Sequence, residues 1–267
     1  MKNTSTTFLK LAITYLSFIF LAILFTSCSK EDDIFIDDET SVPTLCVKRT
    51  VNYSSEWSVD TKIYDYNYDG TRLLDWKLTR INNNDTTTET LTNIYTGDNI
   101  TSMIVDNSYN NSTIYYDFEY DTQGRVTKQF KDNSLEFTYT YIGYVVEKYD
   151  ADNILVGEDT YDANGNSLSG KSKQATDSTW TFISENTHDN KNMPFMNVDS
   201  WYPLSGYRYI SPNNTTSNTV LFSGYASNPT GSTINMSISY DANDFPTYIT
   251  TSYSDGKSKS ETLEYNN

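Results

Sequence analysis

The residues with the clearest ligand-like spacing lie in the segment 65–70, whose sequence is DYNYDG. Alternate Asp, Asn and Asp side chains followed by Gly match the first half of an EF-hand calcium loop. The twelfth position, where a bidentate glutamate belongs, is Trp76, and the flanking alternation places the segment at a strand end. We therefore interpret the segment as a hairpin turn and predict no metal site. The alternative interpretation is a weak calcium site built from Asp and Asn turn side chains, in this segment or at 150–153.

Candidate nucleophiles in the sequence lack the partners that catalysis needs. Ser254 and Lys257 have the Ser-x-x-Lys spacing of some acyl-transfer enzymes, but those enzymes place the pair on a helix, whereas the intervening Asp-Gly predicts a hairpin tip. Cys46 has no nearby base, which favours a small buried residue in the first strand. His188, the single histidine, lies in a polar segment and is expected to be exposed. We accordingly predict no catalytic residue and no cofactor.

Carboxylates and aromatic rings are abundant instead. Two acids about 5 to 10 Å apart would make a glycosidase pair, but the sequence does not select which two. Flat rings could stack on sugars or on a partner protein, or they could pair across strands as the core of the sheet. The tryptophans proposed as a ligand platform are Trp57, Trp76, Trp180 and Trp201. We predict a non-enzymatic surface or binding protein for a glycan or protein ligand; the alternatives are a purely structural surface protein and a carboxylate-dependent glycan hydrolase.

The composition excludes one class of partner and favours a folded chain. The 267 residues include 35 Asp and Glu against 19 Lys and Arg, a formal net charge of −16. Binding to nucleic acid is therefore not expected, because a phosphate backbone is bound through Lys and Arg. Only 37% of the residues are hydrophobic, yet there are 23 Tyr, 12 Phe and 4 Trp. Disordered chains are poor in aromatic residues, so this chain is expected to fold.

The first residues are typical of an export signal. Lys2 and Lys10 precede an uncharged apolar run over 11–25, which is shorter than the roughly 20 residues that span a bilayer. A retained membrane helix is the alternative. The residues 24–28, LFTSC, resemble the lipobox of bacterial lipoproteins, with Phe25 in place of the usual leucine. This resemblance implies a signal peptide over 1–27 and lipidation of Cys28, which would attach the protein to a membrane.

An acidic segment follows the lipidation position. The residues 29–33, SKEDD, are similar to the export signal that sends some lipoproteins of Gram-negative bacteria to the outer face of the outer membrane. A solvated acidic spacer is the alternative interpretation, because like charges keep a linker extended. We predict a lipidated acidic tether over 28–44 and a lipid-anchored, surface-exposed location at the outer membrane.

From about residue 45 the dominant pattern is alternation with a period of two residues. Tyr64, Tyr66 and Tyr68 share one face of a strand, whereas Asp65 and Asn67 lie on the other. The segments 114–120 and 135–141 alternate in the same way. Such segments are typical of half-buried β-strands.

Turn sequences that begin with tyrosine separate these strands. The leading residues Tyr68, Tyr95, Tyr120, Tyr141 and Tyr161 follow one another at intervals of 27, 25, 21 and 20 residues, and a further copy begins at Tyr240. Asp, Asn and Gly in these turns supply positive φ and local capping. One unit is therefore a β-hairpin, and consecutive hairpins must pair side by side because one hairpin cannot bury its own face.

The segments 120–126 (YDTQGRV) and 161–168 (YDANGNSL) resemble the YD repeat of Rhs-type surface and toxin-delivery proteins. The whole layout of leader, lipobox cysteine, acidic tether and loose hairpins is similar to an uncharacterised family of outer-membrane surface lipoproteins. This resemblance covers roughly 45–267 and implies an extended antiparallel β-structure at the cell surface. It implies no catalytic residues.

We therefore predict an all-β fold in a single domain over 45–267. It is expected to be an antiparallel meander of hairpin repeats that forms an extended, twisted or curled sheet. The alternation breaks near 186–217, which predicts a short irregular or helical segment. That segment is expected to cover one end of the sheet; a ligand-gripping loop is the alternative.

Overall fold

The structure is a computed structural model that describes residues 42–55, 58–82, 85–199, 211–222 and 230–266. The predicted signal peptide, the lipidation position Cys28, and two of the four platform residues, Trp57 and Trp201, lie outside the described residues. Residues from Pro43 onward form one compact unit.

Antiparallel β-strands make up this unit, and each pairs with its neighbours in the sequence. Sixteen strands occur in the described part of the chain. They are β1 (Cys46–Ser55), β2 (Ser58–Asp69), β3 (Arg72–Asn82), β4 (Asp85–Thr96), β5 (Asn99–Asn107), β6 (Ser112–Tyr120), β7 (Val126–Lys131), β8 (Ser134–Ile142), β9 (Val145–Asp150), β10 (Leu155–Tyr161), β11 (Ser167–Ser172), β12 (Phe182–Asn192), β13 (Asn213–Phe222), β14 (Thr230–Tyr240), β15 (Pro246–Ser252) and β16 (Ser258–Tyr265).

The sheet is closed, so the expected extended or curled open sheet is wrong. The first and last strands pair antiparallel in a ladder that runs from Cys46 opposite Tyr265 to Ser54 opposite Ser258. Closure leaves neither β1 nor β16 with a row of unpaired backbone groups. In the described parts of this range, 186–199 and 211–217, no α-helix occurs, so the helical option is wrong there. None of the ranges that the structure describes forms a helix that is long and apolar enough to cross a membrane.

The barrel has two ends, named after the tyrosines at one of them and after the cavity, described below, at the other. The tyrosine end holds the start of β1 and the turns that follow Tyr68, Tyr95, Tyr120, Tyr141, Tyr161 and Tyr240. The opposite end holds the connections β3–β4, β5–β6, β7–β8, β9–β10 and β11–β12, and is called the cavity end.

The break in alternation near 186–217 covers the tyrosine end of the barrel. Residues 193–199 of this connection are irregular. Phe195 and Val198 are 3% and 8% exposed, and the Phe195 ring centroid lies 5.1 Å from that of Tyr66. The described part of the connection therefore closes the end of a barrel, because the sheet has no free edge to cover.

The alternation places one row of side chains of each strand inward and the other row outward. On β4, Leu91 and Asn93 are buried, whereas Thr92 is exposed. The inward rows join in a packed cluster that includes Met103 and Phe118. The outward rows on β4 are mainly threonine. The outer face also carries apolar side chains, such as Ile94 and Tyr115, which are 45% and 52% exposed.

Tyrosines tie neighbouring strands together at the tyrosine end. Each of these tyrosines is the last or the last but one residue of an even-numbered strand and donates its hydroxyl to a backbone carbonyl at the start of the preceding strand. The bonds are Tyr68 to Cys46 (2.8 Å), Tyr95 to Leu73 (2.8 Å), Tyr120 to Ile100 (2.5 Å), Tyr141 to Val126 (2.8 Å) and Tyr265 to Pro246 (2.8 Å). The register shifts next to Tyr68, Tyr95 and Tyr120. The repeated tyrosine therefore marks a repeated strand end with a shift in pairing.

The aspartate of the YD sequence has a separate role in the turn. The Asp121 carboxylate accepts hydrogen bonds from the backbone N–H groups of Gln123 and Arg125, both at 2.9 Å. The Asp162 carboxylate does the same for Asn164 and Asn166, both at 2.8 Å. Each carboxylate thus replaces backbone partners that the turn cannot supply.

Replacement of Tyr68 by phenylalanine tests the repeated tyrosine bond. Burial raises the pKa of Tyr68, so its hydroxyl stays a donor, and the variant leaves the Cys46 carbonyl without this bond. Tyr68→Phe is expected to lower the free energy of unfolding by about 1 kcal/mol in urea denaturation. The matched control is Tyr115→Phe on the outer face of β6, where the side chain is 52% exposed and the change is expected to stay within about 0.5 kcal/mol. Equal losses in the two variants would contradict the prediction.

Candidate ligand-binding site

The two described platform residues lie in different parts of the fold. Trp76 is half-buried on β3, where its ring centroid is 5.9 Å from that of Tyr64 and the side chain packs against the interior clusters. Trp180 lies half-buried in the β11–β12 connection, with the ammonium groups of Lys171 and Lys173 at 6.0 and 5.7 Å from its ring. The structure does not bring these two rings together on one surface.

The candidate nucleophiles and the histidine considered in the sequence analysis have structural roles or environments. Cys46 is completely buried, as expected, and burial raises the pKa of its thiol to about 12. Ser254 and Lys257 flank the β15–β16 turn, where Gly256 has a φ of 82° and the hairpin interpretation is confirmed. His188 is half-buried on β12 rather than exposed, and burial lowers its pKa.

In the acidic turns that resemble calcium loops, the Asp and Asn side chains form hydrogen bonds within their own turn or hairpin. One Asp150 oxygen accepts the backbone N–H groups of Asp152 at 3.1 Å and Ile154 at 2.8 Å. The Asn67 amide donates to Asp75 at 2.9 Å across the β2–β3 hairpin. In the described ranges, no group of three or more His, Cys, Asp and Glu side chains converges as a metal site would require.

A cavity of about 590 Å³ opens at the cavity end, inside strands β8 to β12. Small residues on facing strands leave this space: Gly157 pairs with Lys148, and Gly170 pairs with both Asp159 and Ser184. A Cβ atom at position 170 would lie 2.6 Å from an Asp159 carboxylate oxygen. Glycine inside a strand often marks such a close approach.

Lys148 is the most unusual side chain in the cavity wall. Its ammonium nitrogen lies 3.5 Å from the centroid of the Phe137 ring and 6.0 Å from that of Tyr139. Within the described ranges it makes no ion pair at 4.0 Å or less. Burial lowers its pKa, and the charges of Glu136 and Asp159 oppose this effect only in part. The amine therefore relies on a ring face instead of an acid.

The remaining wall is partly aromatic and partly polar. Phe137 and Phe182 supply rings, and Ser172 and Gln174 supply hydrogen-bonding groups. A volume of several hundred Å³ with a few polar groups among apolar ones is typical of a small-ligand site. The cavity is therefore suited to bind a polar molecule with an apolar face.

A second concave surface, about 520 Å³ in volume, lies at the tyrosine end. The Arg125 guanidinium lies 4.3 Å from the Tyr141 ring centroid, and Tyr144 is 60% exposed. Its charged groups are already engaged, because Arg125 pairs with Asp121 at 2.7 Å. Lys148 has no such acidic partner among the described residues, which makes the cavity the stronger candidate.

Sequence reasoning did not nominate the cavity residues. Gly157 and Gly170 lie inside β10 and β11, and glycine inside a strand is a sequence signal of a close approach. In the sequence, nothing distinguishes Lys148 from an outward-facing lysine, because its inward direction depends on how its strand pairs in the barrel.

No family model and no curated protein matches this chain. Among solved structures, it is similar to a porin-like protein from Bacteroides uniformis, at 15% identity and a TM-score of 0.44, over 84% of this chain and 98% of that one. A porin-like protein from Bacteroides vulgatus matches at 12% identity and a TM-score of 0.48, over 84% and 99% of the two chains. At such low similarity, neither structure assigns a function to this chain.

The titration of Lys148 tests its placement. Because burial disfavours the charged amine, Lys148 is expected to titrate below the ordinary value of 10.5, whereas Lys257, beside Asp255, is expected to titrate above it. Both midpoints can be followed by NMR after ¹³C reductive methylation, with signals assigned through Lys148→Arg and Lys257→Arg. A Lys148 midpoint equal to or above that of Lys257 would contradict the placement.

Proposed function

We propose that this protein is a lipid-anchored, non-enzymatic binding protein of the outer membrane that holds a saccharide in its cavity. The observation that carries the proposal is the cavity of about 590 Å³ between Lys148, Gly157 and Gly170. Its volume is in the range of small-ligand sites.

A saccharide fits the chemistry of the wall. Sugar rings present C–H faces that pack on aromatic rings, and hydroxyl groups that need hydrogen-bond partners. The cavity offers Phe137 and Phe182 for the first contact, and Asp159, Ser172 and Gln174 for the second. The aromatic contact predicted from the tryptophans is thus supplied mainly by phenylalanines.

The arrangement of the barrel is compatible with attachment through Cys28. The described chain enters the barrel at Cys46, at the tyrosine end, whereas the cavity opens at the opposite end. The outward threonines of β4 are compatible with a barrel that stays in water. A lipid at Cys28 would therefore hold a water-exposed barrel at the outer membrane and leave the cavity accessible.

The two alternatives are less well supported. A purely structural barrel does not account for an open cavity of about 590 Å³ at one end, because protein interiors are normally close-packed. A glycan hydrolase needs two carboxyl groups that can exchange protons. One of the two cavity carboxylates, that of Asp150, already accepts two backbone N–H groups.

Replacement of the leader tests the anchor. In a variant whose residues 1–28 are exchanged for a cleavable signal without a lipobox, the protein is expected in the soluble fraction without detergent. The unaltered chain is expected in the membrane fraction and to incorporate labelled palmitate, which Cys28→Ala abolishes. A leader-exchanged protein that still requires detergent would contradict both the anchor and the water-facing exterior.

Blocking the cavity tests saccharide binding. Ala175 is exposed at the cavity wall, so Ala175→Trp is expected to fill the space without disturbing a strand and to weaken binding by tenfold or more, about 1.4 kcal/mol. The matched control is Ala163→Trp, an exposed turn position at the tyrosine end that should leave affinity unchanged. Ligands would be found on a glycan array and their affinities measured by calorimetry. Loss of binding only in Ala163→Trp would place the site in the other groove.

A further inference from the structure

The tyrosine end carries most of the exposed large apolar side chains of the barrel. In the described residues from Pro43 onward, ten such side chains are exposed, and six of them lie at this end. The six are Ile94, Ile142, Tyr144, Leu168, Met196 and Tyr248. Ile142 and Tyr144 are 57% and 60% exposed, and both belong to the β8–β9 hairpin turn. Apolar surface gathered in this way indicates a contact with a partner.

The β8–β9 turn differs from the turns on either side of it. The β6–β7 and β10–β11 turns begin with Asp121 and Asp162, whose carboxylates accept backbone N–H groups of their own turns. The β8–β9 turn has Ile142 at the corresponding position, and only Gly143 and Tyr144 separate its strands. This turn therefore presents apolar groups where its neighbours present a carboxylate.

The six side chains are distributed around the barrel. They lie on β4, in the β8–β9 turn, on β11, in the β12–β13 connection and on β15. A protein partner of ordinary size covers one contiguous patch, whereas a flat surface can touch a whole rim at once. A lipid bilayer is such a surface, and tyrosine is suited to its interface because the ring is apolar and the hydroxyl is polar.

The chain enters the barrel at this same end. Strand β1 begins at Cys46, and 15 residues separate Cys28 from Pro43. A fully extended segment of that length reaches at most about 50 Å. A lipid on Cys28, as proposed above, would therefore keep the tyrosine end within reach of the membrane.

The charges at this end favour a neutral lipid surface. Three ion pairs occur here: Arg72 with Asp98 and Arg125 with Asp121, both at 2.7 Å, and Lys191 with Asp244 at 2.6 Å. These three cations are already paired with acids. The chain as a whole has a formal net charge of −16, so an anionic lipid surface repels it. Apolar contact with zwitterionic lipid avoids that repulsion.

We propose that the tyrosine end rests on a zwitterionic lipid surface, with Ile142 and Tyr144 in the interfacial layer and the cavity end directed away from the membrane. This inference goes beyond ligand binding, because it assigns the barrel a second contact with the membrane and an orientation. It rests on the proposed anchor only for bringing the barrel to the bilayer.

Vesicle flotation tests the contact without the anchor. The protein with residues 1–28 exchanged for a cleavable signal is expected to bind phosphatidylcholine vesicles weakly, so that it is released on dilution. Ile142→Ser combined with Tyr144→Ser is expected to weaken binding by tenfold or more, because both side chains leave water in the docked state. The matched control is Tyr109→Ser combined with Ile154→Ser, an exposed tyrosine and isoleucine in connections at the cavity end, which should change nothing.

A fluorophore tests the orientation on the lipidated protein in vesicles. Cys46 is completely buried, so an environment-sensitive label can be attached selectively through Tyr144→Cys or, as the control, Tyr109→Cys. The label at position 144 is expected to shift its emission to shorter wavelength and to be quenched by lipids that carry a nitroxide. The label at position 109 should show neither effect. Equal quenching at the two positions would overturn the proposed orientation.

The remaining outcomes separate this inference from the proposed function. Equal loss of vesicle binding in the two double variants would overturn the contact, as would binding that requires phosphatidylglycerol. A change in oligomeric state without lipid, produced only by the Ile142 and Tyr144 double variant, would make the rim an interface between copies and would also overturn it. Failure of the anchor appears separately, as a full-length chain in the soluble fraction, and failure of saccharide binding appears in calorimetry without vesicles.

Discussion

The pairing of the first strand with the last is the contact on which the rest of the structure depends. Along this seam Val51 lies opposite Glu261, and Glu261 is only 4% exposed. Its carboxylate pairs with Arg49 and Lys259, both at 2.6 Å. Burial alone would raise the pKa of Glu261, but these two cations lower it. The seam is thus held by a buried ion cluster in which each charge has a partner, and breaking it would leave a buried charge alone.

Closure of the sheet creates a barrel interior. Side chains fill this interior at the tyrosine end and leave a cavity at the opposite end. Aromatic side chains and the irregular residues 193–199 fill the tyrosine end, where Phe195 packs on Tyr66. Glycine and serine leave space at the cavity end, between Gly157, Gly170 and Ser184. The low hydrophobic fraction is compatible with this arrangement, since tyrosines supply interior apolar area and the outward row of β4 is mainly threonine.

The fold also places acidic and basic side chains in different environments. Acidic residues serve turns, as Asp121 and Asp162 do, or form ion pairs on the outer face. Lys148 instead faces inward over the Phe137 ring, where the charges of Glu136 and Asp159 act on its pKa.

The sequence by itself determined the strands, their inward and outward faces and the tyrosine-led turns, because each depends on residues a few positions apart. Only the tertiary structure decided closure, since an open and a closed sheet have the same alternation and Cys46 meets Tyr265 from the other end of the chain. The site followed the same division. Neither Trp76 nor Trp180 lines the cavity, whereas Lys148, Gly157 and Gly170, which do, come from separate strands and become neighbours only in the folded barrel. Such long-range pairing depends on the register between strands, and a local sequence pattern does not specify that register.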